Sequence, residues 1–330
     1  MKYFLSLIFV SVLFSTCTTD FQLEAEWDSI PIVYGFVSIQ DTAHYIRVEK
    51  AFLQPGGNAK DVAQIADSLY FENATVQLKN LETGQVFDLQ KVDGNLEGYQ
   101  REEGTFANTP NYLYKIKANE MNLLGGEDVE IIINTGDDEN LITAQTTIQK
   151  EMALKANFPS IPLTLDTYDR TITIKWSNGE KTEIFDFRWT VHYKESLPGT
   201  TDFVDKSIEW VIDDRIKNPS NREEGSAKVV AEDFYKFLAA NIEEKSDVTR
   251  KNLRIDFNIA GGGVEFLDYL RISDANLGIT SANQVPVYTN ISDGFGIFAS
   301  RSYVSESGIS LSAVSRDTLA DGIYTKHLNF

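Results

Sequence analysis

The sequence predicts a mainly β chain that folds into two β-sandwich domains. Aromatic residues are abundant, with 20 Phe and 14 Tyr against 3 Met among 330 residues, and aromatic side chains suit the pleated, half-buried surface of a sheet. Short stretches of alternating apolar and polar residues recur along the chain, separated by polar or glycine-containing turns. This spacing is typical of antiparallel sandwiches, and the chain is long enough for two domains of ordinary size.

The first domain is predicted over residues 29–150. Its strands are expected where apolar and polar residues alternate: at residues 31–39, 42–52, 75–80, 85–92, 111–117, 129–134 and 141–148. Residues 59–69 instead place apolar side chains at helical spacing, which predicts one short amphipathic helix. Seven short strands with turns between them favour an immunoglobulin-like or transthyretin-like sandwich.

The second domain is predicted over residues 151–330 as a sandwich with an inserted helix. The helix is expected near residues 232–244, where apolar residues recur at helical spacing. Strands are expected at residues 170–177, 182–193, 207–212, 228–231, 253–259 and 266–273. Asn178 and Gly179 separate the first two of these strands, and this dipeptide predicts that the two pair as a hairpin.

The first 16 residues have the pattern of a bacterial secretion signal. Lys2 is positive and residues 3–14 are apolar and uncharged, but this stretch is shorter than the roughly 20 residues that span a bilayer. Residues 14–17 (FSTC) then resemble a relaxed lipobox, in which small residues precede a cysteine that accepts lipid. Cys17 is therefore the expected lipidation site and residues 17–28 the expected tether. An ordinary secretory signal with an incidental cysteine is the alternative.

The net charge of the chain limits which classes of partner it can bind. Acidic residues number 49 and basic residues 30, for a net charge of −19. Such a surface repels phosphate backbones, so nucleic acid is not an expected partner.

The chain has one cysteine, so no intramolecular disulfide can form, and a lipidated Cys17 leaves no thiol for catalysis or metal binding. The expected location is the outer membrane, on its cell-surface or periplasmic face.

Four stretches resemble a known family. They are residues 33–53 (VYGFVSIQDTAHYIRVEKAFL), 64–68 (QIADS), 233–242 (DFYKFLAANI) and 286–298 (PVYTNISDGFGIF). Together they resemble a Bacteroidota family of outer-membrane lipoproteins described as a domain of unknown function, whose members are often encoded beside TonB-dependent receptors. The resemblance implies an envelope-anchored β protein that assists a receptor barrel, and it supplies no catalytic residue to carry over.

Two segments are candidate sites. Asp137, Asp138 and Glu139 place hard oxygen ligands on a polar turn, so the turn is either a weak Ca²⁺ site or a solvated hairpin tip. No other cofactor is expected. The second segment is residues 291–298 (ISDGFGIF), which contains Asp293, Gly294, Phe295 and Gly296. It is read either as a tight turn into a buried strand or as an exposed apolar loop that docks a partner.

No catalytic constellation is evident in the sequence. It lacks HExxH and Gly-x-Ser-x-Gly motifs and has only three histidines. The expected function is therefore that of a non-enzymatic, lipid-anchored binding or accessory protein, associated with a TonB-dependent receptor in nutrient uptake. A surface glycan-binding module and a secreted hydrolase are the alternatives. Four tryptophans, each with a core role as the competing interpretation, could form a sugar-stacking platform: Trp27, Trp176, Trp189 and Trp210.

Overall fold

The computed structural model describes residues 29–51, 59–136, 141–157, 159–179, 181–218, 223–277 and 287–330. Strands dominate these residues, which confirms the predicted mainly β class. The strands up to residue 154 are β1 (Pro31–Val37), β2 (Ala43–Lys50), β3 (Thr75–Asn80), β4 (Val86–Asp88), β5 (Gln90–Asp93), β6 (Tyr112–Lys117), β7 (Asp128–Asn134), β8 (Ile142–Thr147) and β9 (Ala153–Leu154). The later strands are β10 (Thr171–Ser177), β11 (Ile184–Ser196), β12 (Phe203–Lys217), β13 (Glu224–Val230), β14 (Arg250–Gly262) and β15 (Phe295–Ser310).

The helices are few and short. They are α1 (Ala59–Ala63), α2 (Ala66–Leu69), α3 (Ala118–Met121), α4 (Ala231–Asn241), α5 (Val264–Leu277) and α6 (Ala313–Asp321). Two 3₁₀ turns, Gly94–Leu96 and Lys326–Leu328, complete the set.

The first sandwich packs a four-stranded sheet, in the order β4-β3-β7-β8, against strands β1, β2, β6 and β5 of an eight-stranded sheet. Both sheets send alternate side chains into one core, since Val33 and Ile46 lie in the same buried cluster as Leu78 and Ile131. The strand alternation dictates this arrangement, because every second residue of β1, β2, β3 and β7 is buried, and nearly all of these residues are apolar, His44 and Asn80 being the polar ones.

The second sandwich packs a three-stranded sheet, in the order β13-β10-β9, against the other half of the eight-stranded sheet, β12-β11-β14-β15. Its core holds Trp176 and Trp189, both fully buried, with Phe187 and Phe257 between the strands. Helix α4, the predicted inserted helix, closes the core by burying Phe234 among these aromatic rings.

One strand joins the two sandwiches. The first part of β15 pairs in parallel with β1, from Phe295 opposite Ile32 to Ser300 opposite Val37. The remainder of β15 pairs antiparallel with β14. Ile291 and Phe298 consequently lie in the first core, so that core takes residues from far beyond position 150, where the sequence placed the end of the first domain.

Three local predictions were wrong, two about helices and one about a hairpin. Residues 59–69 form two short helices rather than one. At the break, Ile65 N donates to the carbonyl of Val62 at 3.0 Å, and the Ser68 hydroxyl lies 2.6 Å from the carbonyl oxygens of both Val62 and Ile65, so it competes with the helical hydrogen bonds there. Residues 266–273 belong to helix α5, not to a strand. Their apolar residues follow helical as well as alternating spacing, and the helix buries Leu267.

The Asn178-Gly179 dipeptide does not make a hairpin. Strand β10 pairs with β13 and β9, whereas β11 pairs with β12 and β14. The connection crosses between the two sheets, so that Trp176 and Phe185 meet across the core with ring centroids 5.3 Å apart. The local turn signal is overridden because both strands carry apolar faces that must cover each other.

Candidate binding surface

Two sequence-predicted sites, Cys17 and the acidic turn of Asp137, Asp138 and Glu139, lie outside the described residues. Among the residues that the structure describes, no group of three or more His, Cys, Asp or Glu side chains is placed to hold a metal ion. No described helix is both long and apolar enough to cross a membrane.

The glycine-containing segment at 291–298 is a tight turn into a buried strand. Asp293 has φ 49° and Gly296 has φ 115°, and the strand that follows buries Ile297 and Phe298. A Cβ atom at position 296 would lie 1.9 Å from the carbonyl oxygen of Val33. Glycine is thus required at this position for both its conformation and its close approach to β1. Gly294 sits in the turn, and Phe295 is 42% exposed.

The tryptophans do not form an exposed platform among the described residues. Trp176 and Trp189 are fully buried, which confirms the core interpretation for both. Trp210 is partly buried and stacks on Phe237, with ring centroids 5.3 Å apart and an interplanar angle of 15°. Trp27 lies outside the described residues.

Several accessible aromatic residues meet on the outer face of the first sandwich. Because the side chains of a strand alternate, the residues of β1 and β2 that do not enter the core point outward. Tyr34 and Phe36 of β1 lie directly opposite Arg47 and Tyr45 of β2 on this face. Tyr99, 52% exposed, reaches the same place from the loop after Gly94–Leu96, its ring centroid 4.6 Å from that of Tyr45.

These residues line a shallow depression of about 260 Å³, which we call the aromatic depression. Its aromatic walls are Tyr34, Phe36, Tyr45 and Tyr99, and its charged rim is Asp41, Arg47 and Arg301. Arg301 comes from β15, so the shared strand completes the site. A depression with flat apolar walls and a few convergent polar groups is the usual form of a small-molecule site.

Tyr45, one of the aromatic walls of the depression, is held in place by a charged hydrogen-bond partner. The Tyr45 hydroxyl donates to Glu97 Oε2 at 3.0 Å, and the Lys115 ammonium donates to the same oxygen. The Lys115 bond is the main reason that the pKa of Glu97 lies below its usual value. Burial raises the pKa of Tyr45, so the hydroxyl stays protonated as a donor at neutral pH.

The rim carries cations whose partners leave part of each guanidinium open. Arg47 bonds Glu49 Oε1 at 2.9 Å, an oxygen that Arg101, which lies outside the depression, also bonds at 2.8 Å. Arg301 contacts Asp41 at 3.4 Å and remains 48% exposed. A guanidinium has five N–H donors, so each arginine retains donors for a polar ligand.

The sequence prediction missed this surface, although one signal was present. The alternation at residues 42–52 separates Tyr45, Arg47 and Glu49 from the core-facing side. This alternation placed Tyr45 and Arg47 on the outward side, but their meeting with Tyr99 and Arg301 depends on long-range pairing.

Two of the three histidines, His44 and His192, show no hydrolytic arrangement among the described residues. His44 is buried, and desolvation lowers its pKa and keeps it neutral. His192 lies on the exposed face of the second sandwich, with Nε2 3.0 Å from Asp256 Oδ2. Ser207 lies opposite His192 in the strand register, but no described hydrogen bond joins the two, so a Ser–His nucleophile pair is not formed there.

The fold and this surface define a class: a mainly β chain of two sandwiches that share one strand, with an aromatic depression on the outer face of the first. No family model and no curated protein matches the sequence.

Several solved structures align with the chain at low similarity. The FN1–FN3 domains of chicken CNTN1 are 10% identical, with 86% of this chain and 66% of that chain covered and a TM-score of 0.19. The C-terminal globular domain of an oligosaccharyltransferase from Pyrococcus abyssi is 10% identical, with 71% and 47% covered and a TM-score of 0.25. A Ca²⁺-stabilised, ice-binding adhesin of an Antarctic bacterium is 9% identical, with 87% and 49% covered and a TM-score of 0.18. The chain thus spans less than two thirds of each, and likenesses this weak support no functional argument.

Proposed function

We propose that this chain is a lipid-anchored envelope binding protein that works beside a TonB-dependent outer-membrane receptor in nutrient uptake. The observation that carries the binding role is the aromatic depression, where exposed rings lie beside arginine and aspartate side chains. Anchoring rests on the signal pattern that ends at Cys17, and the receptor partner rests on the family resemblance of the sequence.

The mechanism is confinement by a tether. Residues 17–28 precede the described body and, fully extended, would reach roughly 40 Å from the lipid. A body held this close to the membrane meets a neighbouring receptor at a high effective concentration without any additional contact. The net charge of −19 disfavours binding of the body itself to anionic head groups, which keeps the binding surfaces away from the lipid.

Replacing Cys17 by alanine is expected to release the protein from the membrane fraction, because two or three acyl chains contribute roughly 0.8 kcal/mol per buried CH₂. We expect wild-type protein, purified in mild detergent, to carry lipid on Cys17 and to retain an outer-membrane barrel, both identified by mass spectrometry. Ser15→Ala keeps a small residue in the lipobox and is the matched control, expected to behave as wild type. Recovery of the lipidated protein without any barrel would refute the accessory role.

A second candidate function, glycan binding, is favoured by the same depression. The C–H faces of a sugar ring pack on aromatic side chains, and arginine and aspartate supply the directional hydrogen bonds to hydroxyl groups. The exposed ring of Tyr99 and the outward-facing Tyr34 provide such faces.

Tyr99→Ala is expected to weaken glycan binding roughly three- to tenfold, since a ring contact is worth about 0.5–1.5 kcal/mol. A ligand chosen from a glycan array would be titrated by calorimetry against wild type and variant. Phe106→Ala is the matched control, because Phe106 is 44% exposed, also aromatic, and outside the depression. Equal losses in both variants, or no glycan bound by wild type, would exclude this function.

A further inference from the structure

A second cavity lies at one end of the second sandwich and shares no residue with the aromatic depression. It has a volume of about 480 Å³ and forms where the start of β14, the residue after β15 and helix α6 meet. Its walls carry Lys251 and Arg254 from β14 and Arg316 from α6, with Leu311 and Phe330 as apolar neighbours. We call it the basic pocket.

The cations of the basic pocket have no carboxylate partner among the described residues. Arg254 donates only to the carbonyl of Leu253, at 2.9 Å, and Arg316 only to that of Leu311, at 2.9 Å. Lys251 Nζ lies 3.4 Å from the centre of the Phe203 ring. Each guanidinium thus keeps most of its five N–H donors for another group.

This cluster of positive charge is unexpected in a chain with an excess of acidic residues. Acidic residues outnumber basic ones by 49 to 30, and each of the other described arginines contacts a carboxylate. Arg188 does so twice, contacting Asp186 and Glu209 at 2.8 Å. In the basic pocket, Asp317 is the one acidic side chain in a lining that also holds Lys251, Arg254 and Arg316.

The floor of the basic pocket contains a buried ion pair and a strand bulge. Arg250 is fully buried and bonds Glu195 Oε2 at 2.7 and 3.0 Å, so its charge is already neutralised. Asn252 has φ 57° at a register shift between β11 and β14. A bulge of this kind re-aims the side chains beside it, here Lys251 and Arg254, and such bulges are frequent next to functional sites.

We infer that the basic pocket binds a small organic acid, with its oxyanion on Arg254 and Arg316 and its apolar part against Leu311 and Phe330. Guanidinium groups match planar oxyanions with two parallel hydrogen bonds. The partly apolar lining selects an organic anion over an inorganic one, because an inorganic anion gains nothing from the apolar wall.

The test is calorimetric titration of the detergent-solubilised full chain with benzoate, glucuronate and inorganic phosphate. We expect at least one organic acid to saturate the protein with a Kd at least tenfold lower than that of phosphate, and its Kd to rise between low and 0.2 M salt, since partly exposed charges are screened. Phosphate binding as tightly as both acids would overturn the organic-acid assignment. An absence of saturable binding by all three would overturn the site.

The variant Arg254→Gln/Arg316→Gln is expected to raise the Kd of the organic acid at least tenfold. Both side chains are exposed and bond only backbone carbonyls, so the melting temperature should stay near that of wild type. Arg271→Gln on α5, 59% exposed, is the matched control and should leave the Kd unchanged. A Kd unaltered in the double variant, or raised equally in the control, would contradict the proposal. Arg316→Lys, which retains the charge but not the paired hydrogen bonds, is expected to give an intermediate Kd.

Discussion

Replacing Glu195 by alanine is expected to lower the free energy of unfolding by about 3–5 kcal/mol. Glu195 is nearly buried and accepts two hydrogen bonds from the fully buried Arg250. Removing the carboxylate leaves the guanidinium charge in the interior with only the carbonyls of Leu328 and Glu243 as partners. Carbonyl dipoles satisfy hydrogen bonds but do not neutralise a charge, so the loss falls in the upper range for single substitutions.

Urea unfolding monitored by far-UV circular dichroism measures this effect. Glu209→Ala is the matched control, because Glu209 also bonds an arginine, Arg188 at 2.8 Å, but is 53% exposed. Surface pairs of this kind contribute less than about 1 kcal/mol. If both variants lost the same free energy of unfolding, burial of the Glu195–Arg250 pair would not be the cause of the loss. Replacing Glu195 and Arg250 together by leucine and methionine should restore most of the loss, since the uncompensated charge is then gone.

The Glu195–Arg250 pair also makes the stability of the protein depend on pH in the acidic range. Burial alone would raise the pKa of Glu195, but hydrogen bonds from Arg250 and Lys245 outweigh burial and lower it. A carboxyl group whose pKa is lower in the folded state contributes stability that is fully present above its unfolded pKa, here 4.5, and is lost as the pH falls through the folded pKa. The difference in stability between wild type and Glu195→Ala should therefore narrow below pH 4.5.

The local sequence pattern was sufficient to predict many of the strands and helices. It was insufficient to predict which strands pair with each other. The alternation at residues 42–52 placed His44, Ile46 and Val48 on one side, and all three are buried. Helical spacing near residue 232 likewise located α4. Both patterns record which face of one element meets the core, and that information is local.

What the sequence did not reveal depends on contacts between distant residues. The pairing of Phe295 with Ile32 joins positions more than 200 residues apart, and nothing in either segment marks the other. The aromatic depression and the basic pocket have the same origin. Arg301 reaches the first site only through β15, and Arg316 of α6 lines the same cavity as Arg254 of β14 although the two are far apart in the sequence. The sequence alone did not separate a tight turn from a docking loop at residues 293–296, because glycines beside an apolar ring are compatible with both.

Replacing Gly296 by alanine is expected to cost about 3 kcal/mol or more. The residue has φ 115°, where an L side chain is strained by about 1–3 kcal/mol. The added Cβ would lie 1.9 Å from the Val33 carbonyl oxygen, and backbone paired in a sheet cannot move aside as a flexible side chain would. Relieving the clash must loosen the β1–β15 pairing, which adds a similar cost.

The variant Gly308→Ala separates the cost of the positive φ from the cost of the clash with the Val33 carbonyl oxygen. Gly308 lies on the same strand with φ 73°, and a Cβ there would meet no atom within 4 Å. Only the left-handed backbone is penalised in this variant, by roughly 1–2 kcal/mol. The Gly296 variant should therefore lose clearly more stability in urea unfolding, and losses of equal size would show that the approach to Val33 carries no energy of its own.

The Gly296 variant also tests whether the shared strand couples the sandwiches. Trp176, Trp189 and Trp210 all lie in or against the second core, whereas Gly296 contacts the first. Circular dichroism follows both sandwiches, and tryptophan fluorescence follows mainly the second. Since β15 is continuous from β1 to β14, we expect both signals of the variant to shift to the same lower urea midpoint. A fluorescence midpoint that stays at the wild-type value would mean that β15 connects the two cores in space without joining them in one cooperative transition.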